Sequence, residues 1–131
     1  MKAAEQDGPA NTIVLRGRIG AEPQERALPS GDTLLTLRLV VAREPSPMTR
    51  ASKQTSDWVD CSVWGGRVRA TASTWHEGDF VEVRGALRRR YFRSAAGPSP
   101  GTRVEVEVLG GRVLKRGGSG DGRESRRAQS V

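Results

Sequence analysis

The stretch TSDWVDCSVWGGRVRATASTW, residues 55–75, carries two different periods in one run. From Trp58 to Gly65 the residues alternate as a strand does. Val59, Cys61 and Val63 point one way, and Trp58, Asp60, Ser62 and Trp64 point the other. The first set reads as a core face. The second is half polar, so it predicts a face that is not fully buried. Two indole rings there suit either a subunit interface or a surface made for something flat. After the double glycine the period changes. Val68, Ala72 and Trp75 fall at i, i+4 and i+7, one apolar stripe on a short helix. HEGD then ends that helix.

Strands extend on both sides. NTIVLRGRIG, residues 11–20, reads as a first strand with Ile13, Leu15 and Ile19 inward and Arg16 and Arg18 outward. A brief second strand falls near 24–28, and PSGD supplies a hairpin turn, since Pro presets one dihedral and Gly accepts the awkward one. LLTLRLVVAR, 34–43, puts Leu35, Leu37, Leu39 and Val41 on one face and Arg38 on the other. Residues 44–56, EPSPMTRASKQTS, form a long polar loop that includes Lys53. FVEVRGALRRRYFR, 80–93, puts Val81, Val83 and Leu87 inward, with Phe80, Arg84, Arg88, Arg90 and Phe92 opposite and Arg93 turned away from them. TRVEVEVLGGRVLKR closes the domain with Val104, Val106 and Val108 inward.

This order predicts an all-β OB fold, a five-stranded Greek-key barrel with one short helix between the fourth strand and the next. Composition alone does not separate it from another small barrel. The expected organisation is a flexible leader at 1–10, one domain at 11–116 and a disordered Gly/Ser/Arg tail at 117–131.

Lys+Arg is 22 against Asp+Glu 15, a formal charge of +7, and only Lys2, Lys53 and Lys115 are lysines. Arginine's planar fork suits phosphates and bases, so the balance favours an anionic partner, although it also fits simple solubility. The single cysteine, Cys61, allows no internal disulfide, which fits a reducing compartment. No apolar run reaches membrane-spanning length.

Catalysis finds little support. His76 is the only histidine and lies in a polar turn with Glu77 and Asp79. Cys61 and His76 cannot supply a four-ligand metal site. No catalytic residue, metal or cofactor is expected. The aromatic and basic pattern is richer: residues 84–93 hold five arginines and no acid. Single-strand binders interleave rings with cations along a groove, because bases are flat and phosphates negative. Blander roles fit the same residues. Either tryptophan could fill an interface, Arg84 could pair with an acid, and the arginine run could be a solvated hairpin.

Several blocks, in order, carry a resemblance: NTIVLRGRIG, PSGDTLLTLRLVVAR, SDWVDCSVWGGRVRATAS, EGDFVEVRGALRRRYF and TRVEVEVLGGRVL. Over about residues 11–114 the chain resembles the bacterial-type single-stranded DNA-binding proteins. The resemblance implies an OB fold that assembles as a homotetramer and binds single-stranded DNA without sequence preference, in replication, recombination or repair, in the cytoplasm at the nucleoid. It maps the stacking rings onto Trp58, Trp64 and Phe92; the cations expected to bind nucleic acid with them, from the basic pattern, are Arg16, Arg18, Arg38, Lys53, Arg84, Arg88 and Arg90. A further ring common in the family should fall near Pro45, where this chain has EPSP, with Met48 the nearest bulky apolar side chain. The end RESRRAQSV is basic, so recruitment of replication proteins through an acidic tip is not expected, and a short paralogue is implied. The alternative is a replication-restart accessory or an RNA-binding barrel of the same fold, since a stacked ring accepts either nucleic acid.

Overall fold

A computed structural model describes residues 7–93 and 100–118; the rest of the expected leader and tail, part of the SAAGPSPG loop and the side chain of Arg93 lie outside the described residues. The elements run β1 (Ile13–Ile19), β2 (Gln24–Ala27), β3 (Thr33–Ala42), β4 (Ser56–Val63), α1 (Gly66–Ala72), β5 (Phe80–Arg93) and β6 (Pro100–Lys115).

The expected five-stranded Greek-key barrel is corrected to an OB-like all-β fold of six strands in one mixed sheet. The strand order is β1-β5-β6-β4-β3-β2, and β1 also touches β3 at Arg18↔Val40 and Ile19↔Leu39. Two features account for the difference. The brief second strand expected near 24–28 is present as β2, paired antiparallel with β3 along all four of its exposed residues, and the closing run is a sixth strand in its own right. And β6 meets β4 in parallel, at Cys61↔Val106 and Ser62↔Glu107. Hydrophobic alternation does not mark the parallel pairing, because strand direction leaves no apolar phase.

The β2–β3 hairpin turns where PSGD stands. Gly31 has φ 97°, a backbone region that side chains with a Cβ avoid, and the Leu28 and Gly31 N–H groups close the turn on Asp32 O and Leu28 O. The core lies on the alternating face: Ile19, Leu35, Leu37, Leu39, Cys61, Val63, Val81, Val83, Val106 and Val108 are buried. Each such aliphatic side chain contributes roughly 1.5–3 kcal/mol of transfer free energy. Leu87 and Val104 depart from expectation, at 49% and 47% exposed. Their strands outrun the core: beyond Leu87↔Val106 the β5–β6 ladder continues as an arm to Arg93↔Pro100.

Helix α1 has no side-chain cap and begins with Gly66, so packing rather than propensity holds it. Ala72 and Trp75 are buried, and Arg69 Nη1 donates to Thr33 O at 2.7 Å. Gly111 makes room for the indole, since a Cβ there would lie 2.7 Å from Trp75 Cη2. Buried Asp79 then ties its own turn to the end of the last strand: it accepts from the His76 N–H (2.9 Å), Gly117 N–H (2.7 Å) and Arg116 Nη1 (2.9 Å). Gly117, assigned to the tail from composition, is therefore hydrogen-bonded to the domain.

Candidate nucleic-acid interface

The outward side of β4 carries Trp58, Asp60 and Ser62, facing Val40, Arg38 and Thr36 of β3 across the ladder. Trp58 is 57% exposed, and the Arg38 guanidinium lies 3.8 Å from its ring centroid while reaching Asp60 Oδ1 at 3.4 Å. A cation over an indole face is attracted by the ring quadrupole and restrains the ring. The half-polar face is not uniformly open, however. Ser62 is 1% exposed.

Ser62 is buried because β6 covers it. Its hydroxyl donates to Glu105 Oε2 at 2.9 Å and accepts from Trp64 Nε1 at 3.1 Å. Glu105, also buried, receives Arg90 through Nε at 2.9 Å and Nη2 at 3.3 Å. The adjoining Arg88 Nε donates to Glu107 at 2.9 Å. Two cavities of about 360 and 370 Å³ flank Glu105. Arg38, Asp60 and Arg103 help line the first; Trp64, Arg88 and Arg90 help line the second. Phe92 lies further out on β5, 39% exposed, with Arg103 5.8 Å from its ring centroid.

The structure thus brings Trp58, Trp64, Phe92, Arg38, Arg88 and Arg90 to one side of β3, β4, β6 and the outer half of β5. It separates Arg84, four residues or about 13 Å of strand from Arg88. Arg84 instead joins Arg16 and Arg112 around the buried carboxylate of Glu82, at 3.1, 2.9 and 3.2 Å. Hydrogen bonding from Arg112, then Arg16, holds that carboxyl below its ordinary range against the opposing effect of desolvation. Arg18 lies beside this group, 5.6 Å from the Phe80 ring and bonded to Gly78 O. Lys53 is exposed in the β3–β4 connection, as is Met48. That connection is closed at its base by a bidentate Arg43–Asp57 pair at 2.8 Å.

Three exposed or paired residues escaped the sequence reading. Arg103 is out of phase with the inward Val104, Val106 and Val108, so alternation could have found it; Arg112 is in phase with them, and the slip of the β5–β6 ladder past Leu109 is what turns it outward. Tyr91, 69% exposed, is out of phase with Phe92 and gave no such signal. Among the described residues no group of three His, Cys, Asp or Glu could hold a metal ion.

The model of the single-strand binding protein family matches residues 10–113. The chain belongs to that family. Among its relatives, "Single-stranded DNA-binding protein 1" of Synechocystis sp. is 24% identical over 98 residues, 75% of this chain and 78% of that one. "Single-stranded DNA-binding protein A" of Bacillus subtilis is 28% identical over 114 residues, 86% of this chain but 65% of the relative. The chain thus spans about two thirds of the Bacillus protein. A solved Plasmodium falciparum SSB complex with ssDNA has the same fold, with a TM-score of 0.64, 24% identity, and coverage of 83% of this chain and 96% of that one.

Proposed function

We propose that this family member binds and protects single-stranded DNA without sequence preference, as a non-catalytic protein of replication, recombination or repair. The observation that carries the proposal is the set of exposed rings among arginines: Trp58 under Arg38, Trp64 beside Arg88 and Arg90, and Phe92 beside Arg103. Rings stack on bases of any identity and guanidinium groups meet phosphates, so neither half of such a surface reads sequence. Trp58, Trp64 and Phe92 are the proposed stacking residues. Arg38 and Arg88, each about half exposed, are the nearest phosphate ligands. Arg16, Arg18 and Arg84 extend the cationic track around Glu82, and Lys53 adds a cation from the β3–β4 connection.

The homotetramer implied by the resemblance belongs to the same proposal, as does a place at the nucleoid. No helix among the described residues is long and apolar enough to cross a membrane. Titration with poly-deoxythymidine, following tryptophan fluorescence and native mass together, tests ligand and assembly. Saturable quenching at a fixed nucleotide-to-tetramer ratio is expected. Absence of quenching with poly-deoxythymidine, or quenching only with RNA, refutes the DNA assignment.

A further inference from the structure

We infer that Glu105 is a positioning residue for the stacking ring of Trp64, acting through Ser62, and that it also withholds Arg90 from the nucleic acid. The role in binding rests on the function proposed above. The relay itself rests on geometry alone.

Four side chains, from β4, β5, β6 and the residue just after β4, form one chain of bonds: Arg90 to Glu105, Ser62 to Glu105, and Trp64 to Ser62, at 2.9, 2.9 and 3.1 Å. Its two central members are nearly sealed from solvent, Ser62 at 1% and Glu105 at 4%. Its two ends are the open ones. A serine hydroxyl has one proton. Because a carboxylate can only accept, the Ser62 hydroxyl donates its one hydrogen to Glu105 and leaves a lone pair facing the indole N–H. The carboxylate therefore dictates the sense of the Ser62–Trp64 bond. A buried carboxylate needs a cation, and Arg90 supplies it with two of its nitrogens. Arg90's fork is thereby committed inward, whereas Arg88 meets the more exposed Glu107 through Nε alone. Adjacent cations on one strand face thus divide their work: Arg90 neutralises the support of a ring, and Arg88 is the one a phosphate can recruit.

The test separates relay from ligand. In free protein carrying Trp58→Phe, the remaining rings are Trp64 and the buried Trp75, so time-resolved anisotropy reports local motion of Trp64. Ser62→Ala and Glu105→Gln should each add a fast component that the parent lacks. In the native background, Ser62→Ala should weaken poly-deoxythymidine binding roughly three- to tenfold, the effect of one lost hydrogen bond. Its salt dependence should not change, because no charge moves. Glu105→Gln should steepen the log–log salt slope by about 0.7 as Arg90 becomes available to phosphate. A merely structural carboxylate would lower the melting temperature and leave that slope alone. An anisotropy decay in Ser62→Ala identical to the parent overturns the inference, whatever happens with DNA and even where Glu105→Gln fails to fold. Failure of the native chain to bind poly-deoxythymidine refutes the proposed function and leaves the anisotropy result to decide the relay.

Discussion

The Arg38 guanidinium stacks on Trp58 at 3.8 Å from the ring centroid, so one face of the most exposed tryptophan is already occupied. A base can then use only the other face, and the cation behind the ring both restrains it and sits near an incoming phosphate. Trp58→Ala should lower affinity for long single strands by roughly 5- to 150-fold, the equivalent of the about 1–3 kcal/mol of one stacked base. Arg38→Ala should cost about two- to fivefold. The two effects should be less than additive in the double variant, because the cation has no ring to support once Trp58 is gone. Fully additive losses in fluorescence titrations would show that Arg38 acts on the ligand independently of the ring.

Arg88 and Arg90 should behave differently although they are two residues apart. Arg88→Ala should shallow the log–log salt slope by roughly 0.7, the effect of one phosphate contact to a single strand. Arg90→Ala should change the slope less but lower stability, on the order of 2–3 kcal/mol, because it leaves Glu105 buried and unpaired. That figure is set below the fully buried case because Arg90 is partly open to solvent. Salt titrations and chemical denaturation of both variants check the contrast; equal slope changes would mean that both arginines reach the backbone.

Cys61 should resist thiol reagents in the native state. Burial pushes its thiol up to about 12, so almost no thiolate is present near neutral pH. Labelling should run at the rate of opening of the β4 core and reach the free-thiol rate only in denaturant. Immediate labelling of the native protein would contradict the packing of β4 against β6.

Asp79 should give the fold part of its acid sensitivity. Burial pushes its carboxyl upward, but hydrogen bonds from the Gly117 and His76 N–H groups and from Arg116 outweigh that, and the net shift is downward. A depressed folded value means that its stabilisation is complete above the unfolded value, about 3.9, and is lost as pH falls below it toward the folded value. Asp79→Asn should flatten this part of the acid limb in melts between roughly pH 5 and 2, referenced to the same unfolded value. An acid limb unchanged in slope would place the sensitivity elsewhere.

The same contact sets where the chain can be shortened. A chain ending at Arg116 loses the Gly117 donor to Asp79, whereas one ending at Gly118 keeps it. The shorter form should be less stable by about 1.5–3 kcal/mol, as befits a hydrogen bond to a charged group. Equal melting temperatures for the two forms would show that the Gly117 bond carries no weight.

Much of the candidate site was legible in the alternation of β4 and β5, because period two is a local property of the backbone. It put Trp58 and Trp64 opposite Cys61 and Val63, and Arg88, Arg90 and Phe92 together. What those side chains touch was not legible. Arg84 shares their phase yet belongs with Arg16, Arg112 and Glu82. The β5–β6 ladder slips by a residue between Arg84 and Gly85, whose partners are Gly110 and Val108.

From the sequence alone came the opposite phases of Trp58 and Cys61 on β4, the core faces of β3 and β4, a short helix after the double glycine, although it ends at Ala72 rather than reaching Trp75, and the family resemblance. These depend on backbone geometry over a few residues. The tertiary structure alone decided that β6 runs parallel to β4, that Ser62 is buried rather than open, and that Arg90 serves Glu105. Each depends on which strand comes to lie alongside which and in what register. Those choices are made by burial of the whole core, which no local period encodes.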